Sequence, residues 1–159
     1  MDKVVSDFVC RTMAAYPDSI LVITGDHSIR MDPTAQPTLF EHESVPFVLY
    51  GNGVTKDILP KDAVGGHTAI VPTLIELIAP EGFSYTSIAR SMTEGTKYAF
   101  NSDCWISREA MGNVDDDRME LLPGIASPQD DLAAEREDAL YEVAAMRTLS
   151  RILIGDMEK

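Results

Sequence analysis

Asp26 and His27 are the two residues of this chain whose types and placement most clearly offer chemistry. They follow the run Ile20-Leu21-Val22-Ile23-Thr24-Gly25, which reads as a short strand buried on both faces and ending on a glycine. A carboxylate beside an imidazole is a hard-to-borderline ligand pair for a divalent metal, and open α/β sheets carry their chemistry at the carboxyl ends of strands. Successive side chains on an extended strand point to opposite faces, so sharing one ion requires the backbone to turn, which Gly25 permits. The plainer alternative is an Asp26 that caps a turn and a His27 that sits on the surface.

The other two histidines, His42 and His67, also lie in the first half of the chain. His42 stands between Glu41 and Glu43, just ahead of a second apolar run, either as a solvated loop residue or as a second-metal ligand or phosphate contact. His67 follows Gly65-Gly66 at the start of a predicted helix, where it is either a simple helix-start residue or a contact to an anionic substrate, which a helix N-terminus favours. Arg30, three residues past His27, could grip a phosphate or sulfate oxygen bidentately or pair with one of the many carboxylates.

These residues need elements to hold them. Val4, Val5, Phe8, Val9, Thr12 and Met13 recur at helical spacing and predict an amphipathic helix over 2–15, broken by Tyr16-Pro17-Asp18-Ser19. Residues 20–24 predict the first strand and Pro46–Tyr50 the second, with a long loop over 28–44 between them. A helix is expected over Val71–Ala79, with Pro72 in its first turn and Pro80 as its stop. Its apolar residues run nearly all round, so it should be well buried. Further on, 97–101, 104–107 and 119–122 read as short strands of a small antiparallel sheet, and Leu132 to Ile154 as a long helix. Only two convincing core strands occur, and the first helix has no strand before it. The expectation is therefore the C-terminal piece of a larger α/β protein.

The composition sets limits. Across 159 residues, 26 acidic against 13 basic side chains give a net charge of −13, which argues against nucleic acid as a partner. Asp115-Asp116-Asp117 reads as a solvated acidic surface, since the spacing around it does not fit a calcium loop. Cys10 and Cys104 belong to no CxxC, and a disulfide between them stays open. No signal peptide or membrane-spanning apolar run is present, so this segment is expected to be soluble. The GxSxG, Walker, GxGxxG and HExxH patterns are missing.

Three segments together carry a resemblance: Thr24-Gly25-Asp26-His27-Ser28, then Val45-Pro46-Phe47-Val48-Leu49-Tyr50-Gly51-Asn52-Gly53-Val54, then Ile70-Val71-Pro72-Thr73-Leu74-Ile75-Glu76-Leu77. In order and spacing, across residues 1 to about 92, they resemble the C-terminal part of the sulfatase-like group of the alkaline phosphatase superfamily. Within that group they look most like lipoteichoic acid synthases and related phosphoglycerol transferases. The resemblance implies an alkaline phosphatase-like doubly wound sheet domain, of which 1–92 is the C-terminal portion. Residues 93–159 would add a small antiparallel sheet and a terminal helix. It implies Asp26 and His27 as ligands of a catalytic divalent metal (Mn, Zn, Ca or Mg), and it sets His42 roughly where two-metal relatives place a histidine ligand; Arg30, His67 and His42 are the candidates for contacts to a phosphate or sulfate ester. The nucleophile and a further acidic ligand of such enzymes lie in an N-terminal half that nothing in this chain matches. The expected protein is thus a metal-dependent sulfatase-like hydrolase or phosphoglycerol transferase to which this chain supplies metal ligands but not the nucleophile. The parent would be membrane-anchored and extracytoplasmic. The competing expectation is a non-catalytic remnant or protein-interaction module.

Overall fold

The computed structural model describes residues 2–28, 36–61, 63–126 and 131–157. The chain is a mixed α/β protein with small antiparallel sheets, two among the described residues, and a long C-terminal helix. It divides into two compact units, one formed by Met1–Pro37 with Glu41–Ile58 and the other by Thr38–Phe40 with Leu59–Lys159.

The first unit holds helix α1 (Asp2–Ala15) and strands β1 (Ile20–Thr24) and β2 (Phe47–Gly51). α1 stops where Pro17 follows, and the turn closes by Tyr16 N–H donating to the Thr12 carbonyl and Ser19 N–H to the Tyr16 carbonyl. β1 and β2 pair antiparallel, from Ile20 opposite Gly51 to Thr24 opposite Phe47. No parallel pair occurs among the described residues. The expectation that β1 is buried on both faces is corrected here. Its apolar residues are only half-buried, and Val48 and Tyr50 on β2 are 46% and 54% exposed. A ribbon of two strands has too few neighbours to cover both faces of either strand.

Part of the expected loop over 28–44 is helical: α2 runs Leu39–Glu43. Its cause lies far away in sequence. The Leu39 backbone N–H, which a first helical turn leaves without an intrahelical partner, donates to Glu120 Oε2 at 2.8 Å. Leu39 itself is buried with Cys104 and Met111.

In the second unit, α3 spans His67–Ile78 and starts four residues earlier than predicted, so Pro72 lies in its interior. Only one face is buried, through Ala69, Pro72 and Thr73, while Val71 and Ile78 stay exposed, which corrects the expectation of all-round burial. Thr73 Oγ1 donates to the Ala69 carbonyl at 2.6 Å and accepts from Met92 N–H at 2.9 Å, tying α3 to the 3-10 turn at Met92–Glu94.

Strands β3 (Ala99–Phe100), β4 (Cys104–Ile106), β5 (Ala110–Asn113) and β6 (Met119–Leu121) form an antiparallel sheet in sequence order. β5 escapes sequence reasoning because Ala-Met-Gly-Asn carries no β-branched residue, yet neighbours pair with it on both sides. Helix α4 (Leu132–Met157) begins where Asp131 Oδ1 accepts the Ala133 N–H at 3.0 Å, an N-cap bond, and it sends Ala139 into the core beside Tyr98, Trp105 and Ala110. Cys10 is exposed and Cys104 buried, both as free thiols.

The Asp115–Asp117 run turns β5 into β6. Asp116 accepts both from Asn113 Nδ2, at 2.9 and 3.0 Å, and from the Arg118 N–H at 2.8 Å, and these bonds hold its carboxyl below the usual carboxylate range. Glu120 is lowered as well, first by the Leu39 N–H and then by Arg118. A carboxylate whose folded pKa is depressed contributes stability above its unfolded value, and that contribution is lost as pH falls through the folded one. Acid denaturation monitored between about pH 5 and pH 2 should therefore steepen as these two groups protonate. Glu120→Gln should flatten that dependence and lower stability at neutral pH, read as the urea midpoint.

Candidate metal centre

The antiparallel register decides which residues meet. Thr24, the last residue of β1, faces Phe47, the first of β2, so the chain leaving β1 and the chain entering β2 lie at one end of the ribbon. Asp26 and His27 follow β1 there, and His42 and Glu43 precede β2. The two segments touch: a Cβ placed on Gly25 would lie 3.3 Å from Val45 Cβ and 3.3 Å from the His27 carbonyl oxygen. Glycine at this position leaves room for that approach.

The backbone bends after β1, as a shared ion requires. Asp26 Oδ1 lies 3.6 Å from His27 Nε2, with the side chains 94% and 67% exposed respectively. Two donors held tetrahedrally at about 2.0–2.1 Å from zinc stand about 3.3 Å apart, so this pair needs to close by only a few tenths of an ångström. His27 Nδ1 lies 2.6 Å from the Ser28 carbonyl. A carbonyl can only accept, so Nδ1 carries the proton, and in the neutral ring Nε2 bears the lone pair. A second ring nitrogen bonded to a carbonyl is the usual support of a metal-ligating histidine.

His42 repeats the arrangement with a carboxylate. Its Nδ1 is 2.7 Å from Glu43 Oε1, the imidazole being the more exposed partner of the two. Neither Ser28 nor Glu43 stood out in the sequence. Glu43 adjoins His42, but its function as acceptor depends on the ring's rotamer, which sequence does not reveal.

The site is incomplete as it stands. No group of three or more His, Cys, Asp or Glu side chains is disposed to hold one metal ion among the described residues. Asp26 and His27 supply two donors, and His42 does not complete a cage with them. His67 is the first residue of α3, exposed, and belongs to the other compact unit. The N-terminus of α3 has no side-chain cap at Gly66. Arg30 lies outside the described residues. Comparison with known proteins returns no matching family model, no matching curated protein and no matching solved structure. No helix among the described residues is long and apolar enough to cross a membrane.

Proposed function

We propose that this chain carries part of the metal-holding side of a sulfatase-like enzyme that cleaves or transfers phosphate or sulfate esters, with lipoteichoic acid synthase-like phosphoglycerol transferases as the nearest chemistry. The observation that carries this reading is the Asp26–His27 pair. Its donor atoms stand at near-chelating distance, and the far nitrogen of the imidazole is held by a carbonyl. The three-segment resemblance supplies the reaction class.

In this reading Asp26 Oδ1 and His27 Nε2 hold a divalent cation, and Ser28 keeps the His27 ring in the ligating tautomer. Such an ion, when bound, supplies Lewis-acid charge neutralisation and lowers the pKa of a nearby hydroxyl. His42, at the same end of the ribbon, meets the anionic oxygens of the ester. The remaining ligands and the nucleophile come from an N-terminal half of the catalytic domain. β1 and β2 then form an antiparallel pair within a larger, otherwise parallel sheet, an arrangement that mixed sheets often show at their edge. The apolar run of β1 and the exposure of Val48 and Tyr50 support such a covering. The parent protein is placed outside the cytoplasm on a membrane anchor by the same resemblance.

A second reading has its own support. Tyr141, Leu149, Ile152 and Ile154 leave much of α4 apolar and exposed, as expected of a module that docks on a partner protein. An assay with an aryl phosphate and an aryl sulfate, run on the longest natural form of the protein with Mn²⁺ or Zn²⁺, separates the two. Metal-dependent cleavage of either ester supports the enzyme, and inertness toward both, with no metal bound, supports the docking module.

A further inference from the structure

We infer that Asn52 is a site of spontaneous covalent modification: the Gly53 backbone nitrogen converts its side-chain amide to a carboxylate, and the new charge loosens the end of the ribbon where β1 begins. Asn52-Gly53 is the one Asn-Gly pair in the sequence, within the Gly51-Asn52-Gly53-Val54 run that closes β2. Both residues are exposed. The Gly53 N–H donates no hydrogen bond among the described residues. Gly53 carries no Cβ to shield its nitrogen, and a Cβ added there would meet no atom beyond its chain neighbours within 4 Å. Bringing Asn52 Cγ onto that nitrogen takes a rotation about Asn52 ψ. The bond at stake is the turn bond from Val54 N–H to the Gly51 carbonyl at 3.2 Å. The amide is held by a contact of 3.4 Å from its Nδ2 to Asp18 Oδ1, longer than a good hydrogen bond.

The other two asparagines are locked. Asn101 Oδ1 accepts from the Asp103 and Cys104 N–H groups at 2.8 and 2.6 Å. Asn113 Nδ2 donates to both Asp116 oxygens at 3.0 and 2.9 Å. The nitrogen that would attack Asn113 belongs to β-branched Val114, and its N–H is bonded to the Asp103 carbonyl at 2.7 Å.

The reaction needs only water. The Gly53 nitrogen gives up its proton and bonds to Asn52 Cγ, the Cγ–Nδ2 bond breaks, and ammonia leaves carrying a proton. The product is a cyclic succinimide, and nothing is oxidised or reduced. One water then opens the ring, at Cγ to give aspartate or at the main-chain carbonyl to give isoaspartate. Aspartate puts a carboxylate where an amide donated to Asp18, so a hydrogen bond becomes a like-charge contact. Isoaspartate adds the same charge and lengthens the main chain by a carbon. The Asn52 N–H donates to the Ser19 carbonyl at 3.2 Å, one rung beyond the Ile20–Gly51 pair, so the repulsion frays the ribbon from this end.

Peptide mass mapping of the full chain, incubated in mildly alkaline buffer with and without guanidinium chloride, tests the site. Asn52 should lose its amide first, as a mixture of aspartate and isoaspartate, at nearly the rate it shows in denaturant. Asn101 and Asn113 should convert measurably only in denaturant. Asn52→Gln should stay unconverted over the same period, because a larger ring must close. A native protein that keeps the Asn52 amide while the denatured chain loses it, or in which Asn101 or Asn113 converts first, would overturn the site. Asn52→Asp should shift the urea midpoint down, and adding Asp18→Asn should restore most of the loss. An Asn52→Asp midpoint equal to that of the wild type, or a loss unchanged by Asp18→Asn, would overturn the effect on the ribbon.

Discussion

Replacing Trp105 with alanine is expected to destabilise the second unit by about 3–5 kcal/mol, enough to unfold much of a marginally stable domain. Trp105 is fully buried at the centre of the cluster formed with Tyr98, Ala110 and Ala139. Its ring lies across Gly112 on the neighbouring strand, where an added Cβ would come within 2.7 Å of Trp105 Nε1. The glycine leaves room for the indole. The indole N–H has no hydrogen-bond partner among the described residues. Trp105→Phe therefore loses no hydrogen bond, keeps most of the buried area and should cost less than Trp105→Ala. Urea titration followed by circular dichroism measures both. Equal stability of Trp105→Ala and wild type would refute the assignment of this residue as the centre of the core.

The second large effect concerns the metal. Asp26→Ala should weaken divalent-metal binding by more than about 100-fold and abolish ester cleavage in the intact protein. Losing the hydrogen-bonded support of a ligand already costs about 10–100-fold, and losing the ligand itself exceeds that. Calorimetric titration with Zn²⁺ checks the first half and an aryl ester assay the second. His27→Ala should behave alike. His67→Gln, in the other compact unit, should leave metal affinity within about twofold, because a chelate between adjacent residues gains nothing from a group outside it. Loss of metal binding in His67→Gln together with its retention in Asp26→Ala would move the metal site elsewhere.

The sequence made the local elements legible and the pairing illegible. α1 and α4 follow from apolar spacing, and β1 and β2 from apolar runs bounded by glycine, because these signals are carried by neighbouring residues. α2 is missed because the group that satisfies its first turn, Glu120, is 81 residues away. β5 is missed because its strand character comes from β4 and β6 and not from Ala110–Asn113 themselves. The burial assigned to β1 rested on its composition, and composition reports what a strand is suited to meet, not what meets it within this unit.

The candidate site divides in the same way. Asp26 and His27 were visible as types at the end of a strand. That their side chains converge depends on the bend after Gly25, which sequence permits but does not impose. That His42 shares their end of the ribbon follows from the antiparallel register, which no local pattern announces. The support given by Ser28 and Glu43 depends on single ring rotamers and lies beyond any reading of spacing.

The most direct test of the central claim is anomalous X-ray scattering from crystals of the longest natural form of the protein soaked in Zn²⁺, with Asp26→Ala crystals treated alike. The expected result is one peak about 2.1 Å from both Asp26 Oδ1 and His27 Nε2, lost in the variant. A wild-type map with no peak at this pair, or a peak that persists unchanged in Asp26→Ala, would contradict it.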